Sequence, residues 1–150
     1  MSVFRSHMDK ALAEARAAAE RGEVPVGAVL LDAGGDVLAL AGNRCRELKD
    51  PTAHAEMLAI RAACAAKGFE RLEGTALYVT LEPCAMCAAA ISAARIARVY
   101  YGASDPKSGG VEQGARVFEH RQSHHKPEVY AGISEGECAE VLREFFKEKR

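Results

Sequence analysis

The apolar positions change period several times along the chain, and each change marks an element. Ser6 to Arg21 is alanine-rich with helical spacing; Ser6 and Asp9 stand at capping-box spacing, with Asp in place of the usual Glu, and Gly22 follows as a stop. Val24 to Asp32 and Val37 to Asn43 are apolar runs separated by Ala33-Gly34-Gly35-Asp36, which predicts a β-hairpin. Asp50-Pro51-Thr52 leads into a helix from Ala53 to Lys67, closed by Gly68. From there the pattern alternates: a strand at Thr75 to Glu82, a helix at Cys84 to Arg95 and a strand at Val99 to Ser104. A Gly-, Ser- and Pro-containing stretch, Asp105 to Gly114, precedes a short helical segment at Ala115 to His120 and a strand at Glu128 to Ile133. Ser134 and Glu137 form a second capping box, opening an amphipathic helix that runs to the C-terminus. This order predicts an α/β protein: a three-layer α/β/α sandwich with a mixed five-stranded sheet, antiparallel at the hairpin and parallel where helices cross over.

Composition narrows the class without changing that picture. At 150 residues and 49% hydrophobic, the chain can close one core, so residues 1–150 are expected to form a single domain with no linker or repeat. Met1-Ser-Val-Phe-Arg-Ser-His-Met8 has no apolar core behind a basic start, and no apolar stretch is long enough to span a bilayer; a cytoplasmic protein with no membrane partner is expected. The five cysteines are an odd number without a secretion signal, which favours metal or catalytic use over a disulfide framework. A net charge of −1 gives no global signal for nucleic acid. Local basic candidates fall late in the chain, at Lys107, at His120, Arg121, His124, His125 and Lys126, and at Lys147, Lys149 and Arg150. Glu119, Glu128, Glu144 and Glu148 lie among them, so on charge alone a solvated, balanced surface is the better reading of these residues.

The candidate chemistry lies in two short stretches, Thr52-Ala-His-Ala-Glu56 and Glu82-Pro-Cys-Ala-Met-Cys87, each at the start of an expected helix. Pro83 suits the first helical position, and Cys84 and Cys87, three apart, would share one face of the first turn. Helix N-termini favour anions, so both thiols should ionise easily. His54, Cys84 and Cys87 supply three ligands of the kind zinc prefers, leaving a fourth tetrahedral position for water, which is a catalytic rather than a structural pattern. Zinc would bring that water to hydroxide near neutral pH, and Glu56 would serve as general base and then general acid. A redox Cys-x-x-Cys pair needs no His-x-Glu partner, and a structural zinc would need a fourth ligand that Cys45, Cys64 and Cys138 do not offer at any matching spacing. Of these three, Cys64 is expected in the core, and Cys45 and Cys138 as incidental thiols.

His-x-Glu followed by Pro-Cys-x-x-Cys is the known signature of the zinc-dependent deaminases. Glu23-Val-Pro-Val-Gly-Ala-Val29, Gly42-Asn-Arg44, Asp50-Pro-Thr-Ala-His-Ala-Glu56, Leu77-Tyr-Val-Thr-Leu-Glu-Pro-Cys-Ala-Met-Cys87, Arg95-Ile-Ala-Arg-Val99 and Gly102-Ala-Ser-Asp-Pro-Lys107 resemble the bacterial tRNA-specific adenosine deaminases of the cytidine/deoxycytidylate deaminase superfamily. That resemblance implies a homodimeric zinc hydrolase, with one zinc per subunit, that converts adenosine to inosine at the wobble position of a tRNA anticodon loop. Zinc-bound hydroxide would attack C6 of the flipped-out adenine while Glu56 shuttles protons. It also implies that Asn43 hydrogen-bonds the nucleotide, Val24 packs on the base, Asp105 contacts an anticodon-loop ribose, and Phe145 and Phe146 lie by the anticodon loop. Taken alone, Val24 reads equally as a strand residue, Asp105 as a turn former and the phenylalanines as helix core.

Two stretches depart from the family. Lys107-Ser-Gly-Gly110 and Val111-Glu-Gln-Gly114 replace the common Lys-Thr-Gly-Ala with its following serine, and His124-His125 replaces an Asn-His pair. A deaminase of a free base or nucleoside, such as guanine, cytosine or cytidine, would share fold and metal site, as would a non-catalytic zinc module. The intact Glu56 argues against the module; Asp50-Pro51-Thr52, the paired phenylalanines and Lys147-Glu-Lys-Arg150 favour tRNA.

Overall fold

A computed structural model describes residues 6–148. Five strands form one sheet in the order β2-β1-β3-β4-β5. They are β1 (Gly27–Leu31), β2 (Val37–Gly42), β3 (Ala76–Leu81), β4 (Arg98–Ala103) and β5 (Glu128–Tyr130). The hairpin is antiparallel, with Gly27 opposite Gly42, and the Asp32 carboxylate ties its turn by accepting the N–H groups of Gly34 and Asp36 at 2.9 Å. β1 also pairs antiparallel with β3, whereas β3, β4 and β5 run parallel. The helices are α1 (Met8–Glu20), α2 (Cys45–Leu48), α3 (Ala55–Lys67), α4 (Ala85–Ala93) and α5 (Glu135–Glu148).

Strand alternation sends successive side chains to opposite layers. Ala28, Leu30, Leu77 and Val79 join Ala59, Ala63, Ala88 and Ile91 in a core beneath α3 and α4. Val29, Leu31 and Tyr78 join Met8, Ala11, Leu12 and Cys138 beneath α1 and α5. β1 is buried along its whole length, as a central strand covered on both faces must be. The sandwich expected from the element order is thus present. Tyr78, Tyr100 and Tyr130 occupy matching register positions and stack across three strands, with ring centroids 4.4 and 4.9 Å apart. Packing is closest where α1 crosses β1: a Cβ on Gly27 would stand 1.9 Å from the Ala11 carbonyl oxygen.

Several boundaries shift, each for a local reason. β1 starts at Gly27 rather than Val24, after Pro25, which has no N–H for the ladder. α1 starts at Met8, whose N–H is accepted by the Ser6 hydroxyl at 3.1 Å. The helix expected at 115–120 is a 3₁₀ turn, Val117–Glu119, and β5 ends at Tyr130. Ser134 has φ 54°, the left-handed region rather than the extended geometry of a capping serine. α2 has no periodicity to announce it and was not anticipated. Lys149 and Arg150 lie outside the described residues. Among the described residues, no helix is long and apolar enough to cross a membrane.

Candidate metal centre and substrate cleft

Two helices begin at the metal-site residues. His54 is the N-cap of α3 and Cys84 the N-cap of α4, both with extended backbone and neither using its side chain as a cap. Pro83 therefore precedes the N-cap instead of filling the first helical position, and Cys84 takes the extended backbone of an N-cap, with φ −72° and ψ 174°. For α3 the capping is done by a distant group: the Asn43 side-chain oxygen accepts the Ala55 N–H at 2.8 Å. That contact satisfies an orphan helix donor and leaves the His54 imidazole for another task. The approach to α3 is set by Asp50, which accepts the Thr52 N–H and hydroxyl at 2.8 and 2.7 Å. Those bonds hold the Asp50 carboxyl below its ordinary value.

His54 Nδ1 lies 3.6 Å from Cys84 Sγ and 3.5 Å from Cys87 Sγ, and the three potential ligand atoms fall within 4.8 Å of one another. In a tetrahedral zinc site with ordinary Zn–N and Zn–S bonds, a nitrogen–sulfur edge is about 3.6 Å. The cluster thus has the donor types and spacing that zinc requires. Without a metal the three groups contend for protons. The Cys87 thiol's hydrogen bond holds Cys84 well below the usual thiol value, and the same contact, with burial, pushes Cys87 up. His54 is raised by its contact with Cys84, against the effect of burial. Glu56, on the first turn of α3, is buried, and burial pushes its carboxyl up to about 7.

A cleft of about 280 Å³ opens over these residues. Val24, Val26 and Leu81 give it an apolar wall; Asn43, Asp105 and Ser108 give it polar groups beside His54, Glu56 and Cys84. The fold therefore brings Val24, Asn43 and Asp105 together at the metal site from three separate stretches of chain. Phe145 and Phe146 are not among the cleft residues. They pack edge to face, 5.3 Å apart, near the end of α5, with Phe146 half exposed. A larger cleft, about 560 Å³, lies farther along α4 between Ala89, Arg95, Val117 and His124, and contains none of the metal-site residues.

Of the late basic residues, His120 and His125 donate ring N–H groups to the carbonyls of Ala115 and Ile96, both at 2.7 Å, and so serve local structure. The spare cysteines also separate. Cys138 is buried against the sheet beneath α5, where a Cβ on Gly102 would stand 2.3 Å from its sulfur, so it is core rather than incidental. Cys64 is only partly buried, and Cys45 lines the cleft.

Sequence reasoning passed over two cleft carboxylates, Glu23 and Glu82, each 2% exposed. Glu23 accepts the N–H groups of Arg46 and Glu47 at 3.0 and 2.8 Å, capping α2. Glu82 accepts the backbone N–H groups of Asp105, Val111, Glu112 and Gln113 at 2.8 to 3.1 Å. Burial acts to raise the Glu82 pKa, but the four donors together outweigh it and leave the carboxyl below the ordinary glutamate value. The one signal in sequence was an acidic residue bounding an apolar run, which is ordinarily a solvated strand end.

Three candidate zinc ligands, one short of a closed tetrahedral site, share a cleft with a buried carboxyl that burial pushes up to about 7; this combination is the one expected of the zinc-dependent deaminases as a class. Residues 1–103 match the cytidine and deoxycytidylate deaminase zinc-binding region, and the chain belongs to that family. Within it, the chain is 64% identical over 148 residues to the tRNA-specific adenosine deaminase of Agrobacterium fabrum, covering 97% of this chain and 96% of that protein. A solved structure from a study of A-to-I editing by wobble-position tRNA deaminases superposes with a TM-score of 0.90 at 62% identity, covering 92% of this chain and 100% of that one. The guanine deaminase of Nitrosomonas europaea shares the fold, with a TM-score of 0.76 at 21% identity over 96% of this chain and 86% of that one.

Proposed function

We infer that the chain hydrolyses adenosine to inosine at the wobble position of a tRNA anticodon. The observation that carries this reading is the extent of the likeness: identity above 60% holds over nearly the full length of tRNA deaminases. The fold is shared with a guanine deaminase and so does not by itself choose the substrate.

His54, Cys84 and Cys87 would hold one zinc per subunit, which would make water a competent nucleophile at neutral pH. Glu56, whose carboxyl burial pushes up to about 7, is suited to accept and then donate a proton. It would take one proton of the attacking water and deliver it to the adenine ring nitrogen as C6 is attacked, then take the remaining proton of the hydroxyl now on C6 and pass it to the amino group, which leaves as ammonia while C6=O forms. Because the Asn43 oxygen is committed to Ala55, its NH2 group is the half that meets the nucleotide, as a donor to an acceptor. Val24, 38% exposed on the cleft wall, offers an apolar face to the base, and Asp105 accepts from a ribose hydroxyl. Phe145 and Phe146 meet the anticodon loop outside the cleft. The protein acts as a single deaminase domain and as a homodimer. Its thiolate ligands and tRNA substrate fit the reducing cytoplasm.

The test is to incubate the purified protein with an anticodon stem-loop carrying A at the wobble position and, in parallel, with guanine, cytosine, cytidine and adenosine. Inosine in the stem-loop alone is the expected result. Turnover of guanine or cytosine with an inert stem-loop would transfer the assignment to a free-base deaminase. A sedimentation mass of one subunit would remove the homodimer.

A further inference from the structure

We propose that Glu82 is the positioning residue of the substrate cleft, its carboxylate clasping both ends of the 104–113 loop and thereby fixing Asp105 and Ser108 beside the metal centre. The two oxygens divide the work. Oε1 accepts the Asp105 N–H at 3.0 Å and the Ser104 hydroxyl at 3.3 Å, where the loop leaves β4. Oε2 accepts the N–H groups of Val111, Glu112 and Gln113 at 3.1, 2.8 and 2.9 Å, where the loop returns. A single buried carboxylate thus gathers five donors from two ends of one loop, and the Gln113 side chain joins those ends by donating to the Ser104 hydroxyl at 3.1 Å.

Between its clasped ends the loop is drawn against the start of α4. Gly110 donates its N–H to the Pro83 carbonyl at 2.8 Å, and Gly109 bridges to Cys84. Neither position has room for a side chain: a Cβ on Gly109 would stand 2.6 Å from the Glu82 carboxyl carbon, and one on Gly110 would stand 2.5 Å from the Ala85 nitrogen. Asp105 then closes its own turn, its Oδ1 accepting the N–H groups of Lys107 and Ser108 at 3.1 and 3.0 Å. Glu82 directly precedes the Pro83-Cys84 step, so one short stretch of chain carries both a metal ligand and the anchor of the opposing cleft wall. The registration of that wall against the metal is consequently set by two residues of covalent geometry and five hydrogen bonds.

In Glu82→Gln, one acceptor oxygen becomes an NH2 group facing N–H donors that have no other acceptor in the clasp, and one end of the loop must let go. In Glu82→Asp, the charge remains but the side chain is one methylene shorter and reaches both ends poorly. The proposal rests on the assignment of Asp105 as a substrate contact, so Asp105→Ala is run alongside. The readouts are zinc content, steady-state kinetics on the anticodon stem-loop, and amide hydrogen exchange at residues 105 and 111–113.

For Glu82→Gln we expect wild-type zinc content, exchange at those amides faster by about tenfold or more, and a KM raised by about tenfold with kcat changed far less. Glu82→Asp should fall between wild type and Glu82→Gln in both exchange and KM. A purely structural role would lower the folded fraction and leave the KM of the folded protein alone. Unchanged exchange, or loosened exchange with a wild-type KM in both Glu82 variants, overturns the proposal. If Asp105→Ala raises KM in that same experiment, the substrate reading stands while the clasp fails. If Asp105→Ala leaves KM unchanged, that reading of Asp105 fails, and a raised KM in Glu82→Gln then assigns the positioned contact to the rest of the loop.

Discussion

Asn43 and Glu56 illustrate how little of a residue's role is held in the residue itself. A helix N-cap ordinarily spends its own side chain on the first turn, but His54 is spared that duty because Asn43, twelve positions earlier, supplies the oxygen. Glu56 is an ordinary glutamate whose burial under the cleft raises its carboxyl to about 7, where one group can serve as base and acid. Replacing Glu56 with Ala should leave one zinc per chain and lower inosine formation by roughly 10²-fold or more; metal analysis beside a single-turnover assay checks both halves. Substantial turnover in that variant would assign the proton transfers elsewhere. Glu82 gives a pH prediction whose sign follows from its depressed pKa. Its stabilisation is complete above the ordinary glutamate value and is lost as pH falls through the lower folded value. Wild type should therefore exceed Glu82→Gln by about 2 kcal/mol near neutrality, the worth of hydrogen bonds to a buried charge. That gap should shrink in acid, as denaturant melts at stepped pH will show; a gap constant down to pH 3 would mean that the charge contributes nothing.

Among the elements, α1 and α3 show opposite relations between sequence and placement. α3 was legible as a helix closed by Gly68, and the structure gives it a buried stripe of Ala55, Ala59 and Ala63 with Glu56 and Ile60, at the helical period. What spacing could not say is that a charged residue belongs to that stripe, since periodicity treats Glu56 as a break in it. α1 was equally legible as a helix, yet its depth on the sheet is decided by a missing side chain on another element. Ala11 and Ala15 approach β1 so closely that Gly27 has no space for a methyl group. Gly27→Ala should cost about 3 kcal/mol, because backbone must move on both sides. A loss below 1 kcal/mol in a denaturant titration would show that α1 shifts freely. The short α2 escaped notice because four residues carry no period; it exists where Glu23 accepts its N–H groups.

For the whole molecule, the metal centre lies at one end of a sandwich that has its own two apolar cores. The three ligands come from two helix N-termini and are not part of the bulk of either core, apart from the buried Cys87 sulfur. Removing zinc with a chelator should therefore abolish deamination while leaving the far-ultraviolet circular dichroism unchanged, and zinc should restore activity without refolding. Loss of helical signal on chelation would instead make the metal part of the folding energy.

The sequence by itself determined most of the elements, their order, and the candidate metal ligands with the carboxylate near them, because each is a matter of spacing within a few residues: a helical period, a turn, a pair of cysteines three apart. The tertiary structure alone decided which groups meet across long separations. It set Asn43 on the cap of α3, buried Cys138 against Gly102, placed Cys45 on the cleft wall, kept Phe145 and Phe146 away from it, and drew five donors onto Glu82. A carboxylate is read from sequence as a group that seeks water. Only the fold can supply it with enough buried donors to do without.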